Sequence, residues 1–220
     1  YKPFQYELTL KNMHLWRGLR FTDEAVTTAK LYYTSKNEHF SAGFWGGVGF
    51  SGNYTEFDYW ISYDYKNWTF SIWDINNYSD FPDASIFSYD VGETSHFVDV
   101  SVNYNFDSIP LQLTWGTIIL GRDTYVSTNG SLENAFSNYA EVAYTLFDND
   151  DSNLGLFIGA AFSFETETNF YGSRSGFNNV GLTYSKSLDV FGRFDIPVSA
   201  KAMWNNLQGY SALQVAVNVF

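Results

Sequence analysis

Apolar and polar residues alternate along this chain with a period of two, in runs of about nine to twelve residues separated by polar or glycine-containing turns. A period of two sends successive side chains to opposite faces of a β-strand, so each run predicts one strand with an apolar and a polar face. The first run, about Phe4 to Trp16, sets Tyr6, Leu8 and Leu10 against Glu7, Thr9 and Lys11. The second, about Val26 to Thr34, sets Ala29, Leu31 and Tyr33 against Thr28, Lys30 and Tyr32. Phe40, Ala42, Phe44, Val48 and Phe50 oppose Ser41, Gly43, Trp45, Gly47 and Gly49 in the third, and Phe57, Tyr59, Ile61 and Tyr63 oppose Glu56, Asp58, Trp60, Ser62 and Asp64 in the fourth. The sixth is the cleanest, with Val98, Val100, Val102 and Tyr104 alternating with Asp99, Ser101, Asn103 and Asn105. Continued to the end, the pattern predicts about twelve strands, the last beginning at Tyr210 with Leu213, Val215, Val217 and Val219 on one face.

Connection lengths carry a second signal. Beginning with the first, every other connection tends to be longer, notably after the fifth, seventh and ninth runs, as in outer-membrane barrels with short periplasmic turns and long external loops. The expectation is an all-β fold: one transmembrane, antiparallel, up-and-down β-barrel of about twelve strands spanning residues 1–220 as a single domain. An even strand count puts both termini on the periplasmic side. Twelve tilted strands close to a backbone diameter of roughly 24 Å, which inward side chains narrow to about 10 Å or less. An aqueous route is therefore geometrically possible.

Composition fits this picture. Tyr, Phe and Trp make up 20% of the chain, far more than a soluble core needs but suited to bilayer interfaces. Mean hydropathy is −0.22, as expected when half of every strand faces a polar interior. A formal charge of −12 argues against nucleic acid as a partner, since displacing its counterions takes basic patches. Without cysteine there is neither a disulfide framework nor a thiolate metal site. No secretory leader is visible at Tyr1-Lys-Pro-Phe4, so outer-membrane location presupposes a processed N-terminus.

The polar faces direct the candidate chemistry into the lumen. Glu7, Glu56, Asp58, Asp64, Asp99, Glu141 and Glu165 are assigned inward against Lys11, Arg17, Lys30 and Lys201. The surplus is acidic, which in a solvated lumen favours cations; alternatively the charges pair across the interior and brace a closed barrel. Arg17 and Lys30, near the external ends of the first two strands, are expected to face Glu56 and Asp58 in an ionic cluster at the mouth. Inward glycines, among them Gly43, Gly47, Gly116, Gly159 and Gly181, either leave room for solute or relieve crowding where the wall bends.

Two resemblances bear on identity. The last eleven residues, an alternating strand closing on Phe220, resemble the final strand of bacterial outer-membrane barrels, with the valines one residue out of phase with the terminal aromatic. His14-Leu-Trp-Arg-Gly-Leu-Arg-Phe-Thr-Asp23, Phe40-Ser-Ala-Gly-Phe-Trp-Gly46 and Glu56-Phe-Asp-Tyr-Trp60 together resemble the opening of a family of small outer-membrane porins labelled TorF-like. The resemblance covers roughly the first sixty-five residues. It implies a Gram-negative outer-membrane location and a channel role, and brings no catalytic residues or cofactor with it.

Other chemistry is thinly represented. Ser95 and His96 are adjacent, which in a strand points them to opposite faces rather than into the hydrogen-bonded pair a serine nucleophile needs. His14, His39 and His96 are expected at the membrane interface. Asp148 to Ser152 opens like a calcium loop, but Asn153 and Gly159 stand where glycine and glutamate are required, so a polar turn is expected. The loop from about Asp74 to Ser95 can fold inward as a constriction or outward as a docking surface. The expected function is passive diffusion of ions or small polar solutes, without cofactor, metal or catalysis. The alternative is a non-conducting structural or binding barrel within a larger outer-membrane complex. Expected partners are outer-membrane lipid or lipopolysaccharide, small polar solutes or cations, and other envelope proteins.

Overall fold

The computed structural model describes residues 1–91 and 93–219; Gly92 and Phe220, and with it the terminal aromatic singled out above, lie outside the described residues. In chain order the strands are β1 (Phe4–Lys11), β2 (His14–Trp16), β3 (Leu19–Thr22), β4 (Val26–Thr34), β5 (Phe40–Gly49) and β6 (Thr55–Tyr65). They continue with β7 (Trp68–Asn76), β8 (His96–Asn105), β9 (Leu111–Gly121), β10 (Thr124–Val126), β11 (Leu132–Asn134) and β12 (Asn138–Asp148). The last four are β13 (Ser152–Phe162), β14 (Gly176–Val190), β15 (Phe194–Asn205) and β16 (Tyr210–Asn218).

Twelve of these close into one antiparallel up-and-down barrel in the order β1, β4 to β9, β12 to β16, and β16 pairs back onto β1 through Thr9 with Asn218, Leu10 with Val217 and Lys11 with Ala216. The other four form two small hairpins, β2 with β3 and β10 with β11, inside long connections. Connections at one end are residues 35–39, 66–67, 106–110, 149–151 and 191–193; those at the other are 12–25, 50–54, 77–95, 122–137, 163–175 and 206–209. The short turns thus share an end with the first residues of β1 and the last of β16.

The faces follow the alternation. On β8 the inward Asp99 and Ser101 are buried while Val98, Val100 and Val102 are half-exposed on the outer wall. Around the short-turn end the outer wall carries exposed aromatics, among them Phe4, Tyr63, Trp68, Tyr144, Tyr184 and Phe194; aliphatic positions such as Leu31, Ile61, Ile72, Val142 and Leu182 occupy the band above. The Asp148 region is the polar turn expected of it, with the Asn149 Oδ1 accepting from the backbone nitrogens of Asp151 (3.2 Å) and Ser152 (2.9 Å).

One strand departs from the expectation, and one loop takes the second of the two courses open to it. The first strand stops at Lys11 instead of running to Trp16, and the residues beyond it turn into the barrel as β2 and β3. The 77–95 connection takes the outward course. Asp74 and His96 lie in the outward set of β7 and β8, and the loop folds over them. His96 Nδ1 meets Asp74 Oδ1 at 2.7 Å and its Nε2 meets the Ile86 carbonyl at 2.9 Å; Tyr89 donates to Asp74 Oδ2 at 2.5 Å and touches the Tyr59 hydroxyl at 2.6 Å. His96 is therefore fully buried, not interfacial. Asp74→Ala removes two of these bonds and orphans a buried ring nitrogen, a loss of about 1–3 kcal/mol confined to the strap. Chymotryptic cleavage after Tyr89 is expected to accelerate about tenfold or more, since 1.4 kcal/mol of local opening is a factor of ten. An unchanged rate would mean that the loop is held by something else.

Candidate functional site

The interior is organised by the inner hairpin. Where β1 stops, the upper edge of β16 loses its neighbour, and its backbone groups need other partners. Asn12 supplies them: its nitrogen donates to the Val215 carbonyl at 3.1 Å, its Oδ1 accepts from the Val215 nitrogen at 2.7 Å, and its Nδ2 donates to the Leu213 carbonyl at 3.0 Å. The Leu15 nitrogen continues the series onto Gln214 Oε1 at 3.0 Å. The chain is thereby led down the inside of the wall. It reverses at Arg17 (φ 45°) and Gly18 (φ 83°), two consecutive positive-φ residues between the paired Trp16 and Leu19, the requirement of a two-residue primed turn.

The tip is pinned on the far wall. Arg17 makes a bidentate ion pair with Asp99 of β8, Nη1 to Oδ1 at 2.6 Å and Nη2 to Oδ2 at 2.7 Å, and donates to the Tyr171 hydroxyl at 3.1 Å. Its carbonyl accepts from Asn178 Nδ2 at 2.7 Å, and the Gly18 carbonyl accepts from Asn205 Nδ2 at 2.9 Å and the Tyr210 hydroxyl at 2.7 Å. A register shift after Gly159 places Asn178 beside the inward Asn179, within reach of the tip. Around these bonds the hairpin side chains fill the barrel. Leu15 packs with Phe157 and Met203; Trp16 and Phe21 pack on Ile75, Phe97 and Ile118; Trp16 and Leu19 lie on Tyr139, Ala161 and Tyr171.

Inward glycines make room for side chains, at Gly116 for the plug itself and at Gly159 and Gly47 for the wall residues Tyr139 and Trp45. A Cβ at Gly116 would meet the Arg17 guanidinium at 2.5 Å, one at Gly159 the Tyr139 hydroxyl at 2.3 Å, and one at Gly47 the Trp45 ring at 2.8 Å. The passage that twelve strands make geometrically possible is narrowed toward the long loops by the hairpin and the side chains packed on it. Space remains below it, in a polar vestibule of about 550 Å³ at the short-turn end reached by Lys11, Asn153 and Gln214. A second cavity of about 290 Å³ lies between the hairpin and the β5–β8 wall, edged by Arg17, Glu56, Asp58 and Asp99.

The expected ionic cluster at the mouth is also corrected. Arg17 takes Asp99 as its partner instead of Glu56 or Asp58, because the tip crosses to β8. Lys30 sits at mid-wall, its ammonium over Trp60 (4.5 Å) and Tyr32 (4.7 Å), opposite Glu7 in register. Glu56 accepts from Asn77 Nδ2 at 2.6 Å and Asp58 from the Asn76 nitrogen at 3.1 Å. Glu141 accepts from Tyr139 and from Asn179 Nδ2, the latter at 2.8 Å. Lys11 lies 5.7 Å from the Trp45 ring and Lys201 4.5 Å from Phe157, both inward as assigned. Glu165 does not line the lumen; β13 ends at Phe162 and the residue is exposed in the following loop.

His14 was expected at the membrane interface but is packed inside, against Phe21, Trp45 and Tyr54. Burial, reinforced by Lys11, pushes its imidazole down to about 3, so it is neutral at ordinary pH. Sequence reasoning missed Tyr171, Asn178, Asn205 and Tyr210, which hold the hairpin tip from the 163–175 connection and from β14, β15 and β16. No protein-family model matches this chain, and no curated protein is similar to it in sequence.

Proposed function

We propose that this chain is a Gram-negative outer-membrane barrel that acts as a narrow, normally closed channel for small polar solutes and cations, with the β2–β3 hairpin as its gate. The observation that carries the gate is the bidentate Arg17–Asp99 pair at the end of a hairpin that spans the lumen. The membrane setting is supported by an outer wall of exposed aliphatic residues bounded by aromatics and by the segregation of short turns to one end. In that setting both termini lie on the periplasmic side, the outer wall meets lipid or lipopolysaccharide, and the open vestibule faces the periplasm. The TorF-like resemblance of the first sixty-five residues points the same way. Inward carboxylates outnumber inward cations, which favours cations among permeants.

A second reading is favoured by the same pinning: a permanently closed barrel that serves as a structural or binding subunit beside other envelope proteins. Planar-bilayer recording of the purified protein separates the two. The gated channel is expected to be silent most of the time, with brief openings whose reversal potential in a salt gradient reports cation preference. A steady large conductance would overturn the gate, total silence would favour the closed subunit, and a protein that stays in solution without detergent would overturn the membrane reading altogether.

A further inference from the structure

The cavity beneath the hairpin is built unlike the rest of the lumen. Glu56 and Asp58 are successive inward residues of β6, 6% and 3% exposed, and neither has an ion-pair partner among the described residues. Each accepts a hydrogen bond, from Asn77 and from the Asn76 backbone, and the two carboxyl groups lie within hydrogen-bond reach of each other, so a shared proton is the alternative to a bound cation. Across the cavity Asp99 is already paired with Arg17. Two anions side by side in a nearly dry wall are costly unless a positive charge or a proton joins them. The remaining walls are aromatic: Trp45 and Trp73 are half-exposed at the cavity, with Phe21 beside them on the hairpin.

The His14 ring, 7% exposed, adds a further aromatic edge to this cavity. The interior elsewhere seats ammonium groups on aromatic faces, Lys30 over Trp60 at 4.5 Å and Lys201 over Phe157 at 4.5 Å. Trp73 stacks on that same Trp60 with ring centres 5.3 Å apart, and its ring borders the cavity.

We propose that this cavity binds a small alkylated ammonium ion, its charge against Glu56 and Asp58 and its alkyl groups on Trp45 and Trp73. Cation–π attraction and carboxylate pairing both act on such an ion, and neither acts on a neutral molecule of the same shape. At about 290 Å³ the space suits a compact cation and not an oligomer. Among the described residues no cluster of side chains has the ligand set of a metal site, and the aromatic walls would leave a bare metal ion poorly coordinated.

The test is binding to the purified barrel in detergent, read by tryptophan fluorescence and calorimetry without any conductance measurement, so a silent barrel leaves it intact. The probes are choline and its uncharged isostere 3,3-dimethylbutan-1-ol. Choline is expected to saturate with a Kd below about 1 mM and to bind at least tenfold more tightly than the isostere. Glu56→Gln combined with Asp58→Asn should remove that preference, and Trp73→Leu, a change at a half-exposed position, should weaken choline at least tenfold while leaving the barrel resistant to unfolding in cold detergent. Equal affinity for the two probes, or no saturation by choline, overturns the proposal; the second result would mean that the carboxylate pair is neutralised by a proton instead.

Discussion

Arg17→Ala raises the open probability of the barrel in a planar bilayer by about two to three and a half orders of magnitude. The estimate starts from the pair it breaks. Removing one partner of a buried ion pair costs about 3–5 kcal/mol, mostly because the other charge is left uncompensated, and every 1.4 kcal/mol is tenfold. In the docked state Asp99 is 2% exposed and would face the shortened hairpin with no counter-charge. Once the tip leaves, water reaches the carboxylate, so the penalty falls on the closed state alone. A double variant, Arg17→Ala with Asp99→Ala, removes the orphaned charge and is expected to recover much of the closure. Recovery of that kind is the signature of coupling between the two side chains. Gly18→Val reaches the same end by sterics: φ is +83° there, and a Cβ would lie 2.1 Å from the Asn178 carbonyl oxygen. If the Arg17→Ala and Gly18→Val records both match the wild type, the hairpin is not a gate.

The barrel itself could be read from the sequence because an apolar outer wall and a polar interior impose a strict two-residue repeat, and β6 and β8 keep it without interruption. The hairpin was hidden by that same regularity. Residues 12–16 prolong the alternation of β1 in appearance, with Trp16 in step with Tyr6, Leu8 and Leu10. One signal was present: the outward series fails at Asn12 and His14, where polar groups interrupt an otherwise apolar face. The adjacent Arg17-Gly18 then marks a turn. Which wall receives the tip was not readable, since Asp99 stands 82 residues away from Arg17 and only barrel closure brings the two together. The glycines were ambiguous for a related reason. A missing side chain shows that space is needed, and whether solute or a guanidinium uses it is a tertiary fact, decided at Gly116 by Arg17.

Val100→Arg and Asn103→Arg, three residues apart on β8, should differ sharply when the protein is unfolded reversibly by urea from lipid vesicles. Val100 lies near the middle of the strand on the outer wall, level with Ile72 of β7. In the proposed membrane setting arginine there must lie in hydrocarbon or reach for the interface, at a cost of about 2–4 kcal/mol near the midplane. Asn103 faces the lumen opposite Thr114, whose hydroxyl donates to it at 2.6 Å, so arginine at that position forfeits one hydrogen bond, about 1 kcal/mol, and keeps its charge in a polar, acid-rich interior. The outward variant is therefore expected to lose about 1–3 kcal/mol more than the inward one, a factor of roughly 5 to 150 in the folding equilibrium. In a water-soluble barrel the order reverses, because an outer-wall arginine would be solvated while the inner position stays crowded. The sign of the difference thus reports directly what the outer wall touches, independently of whether the lumen ever conducts.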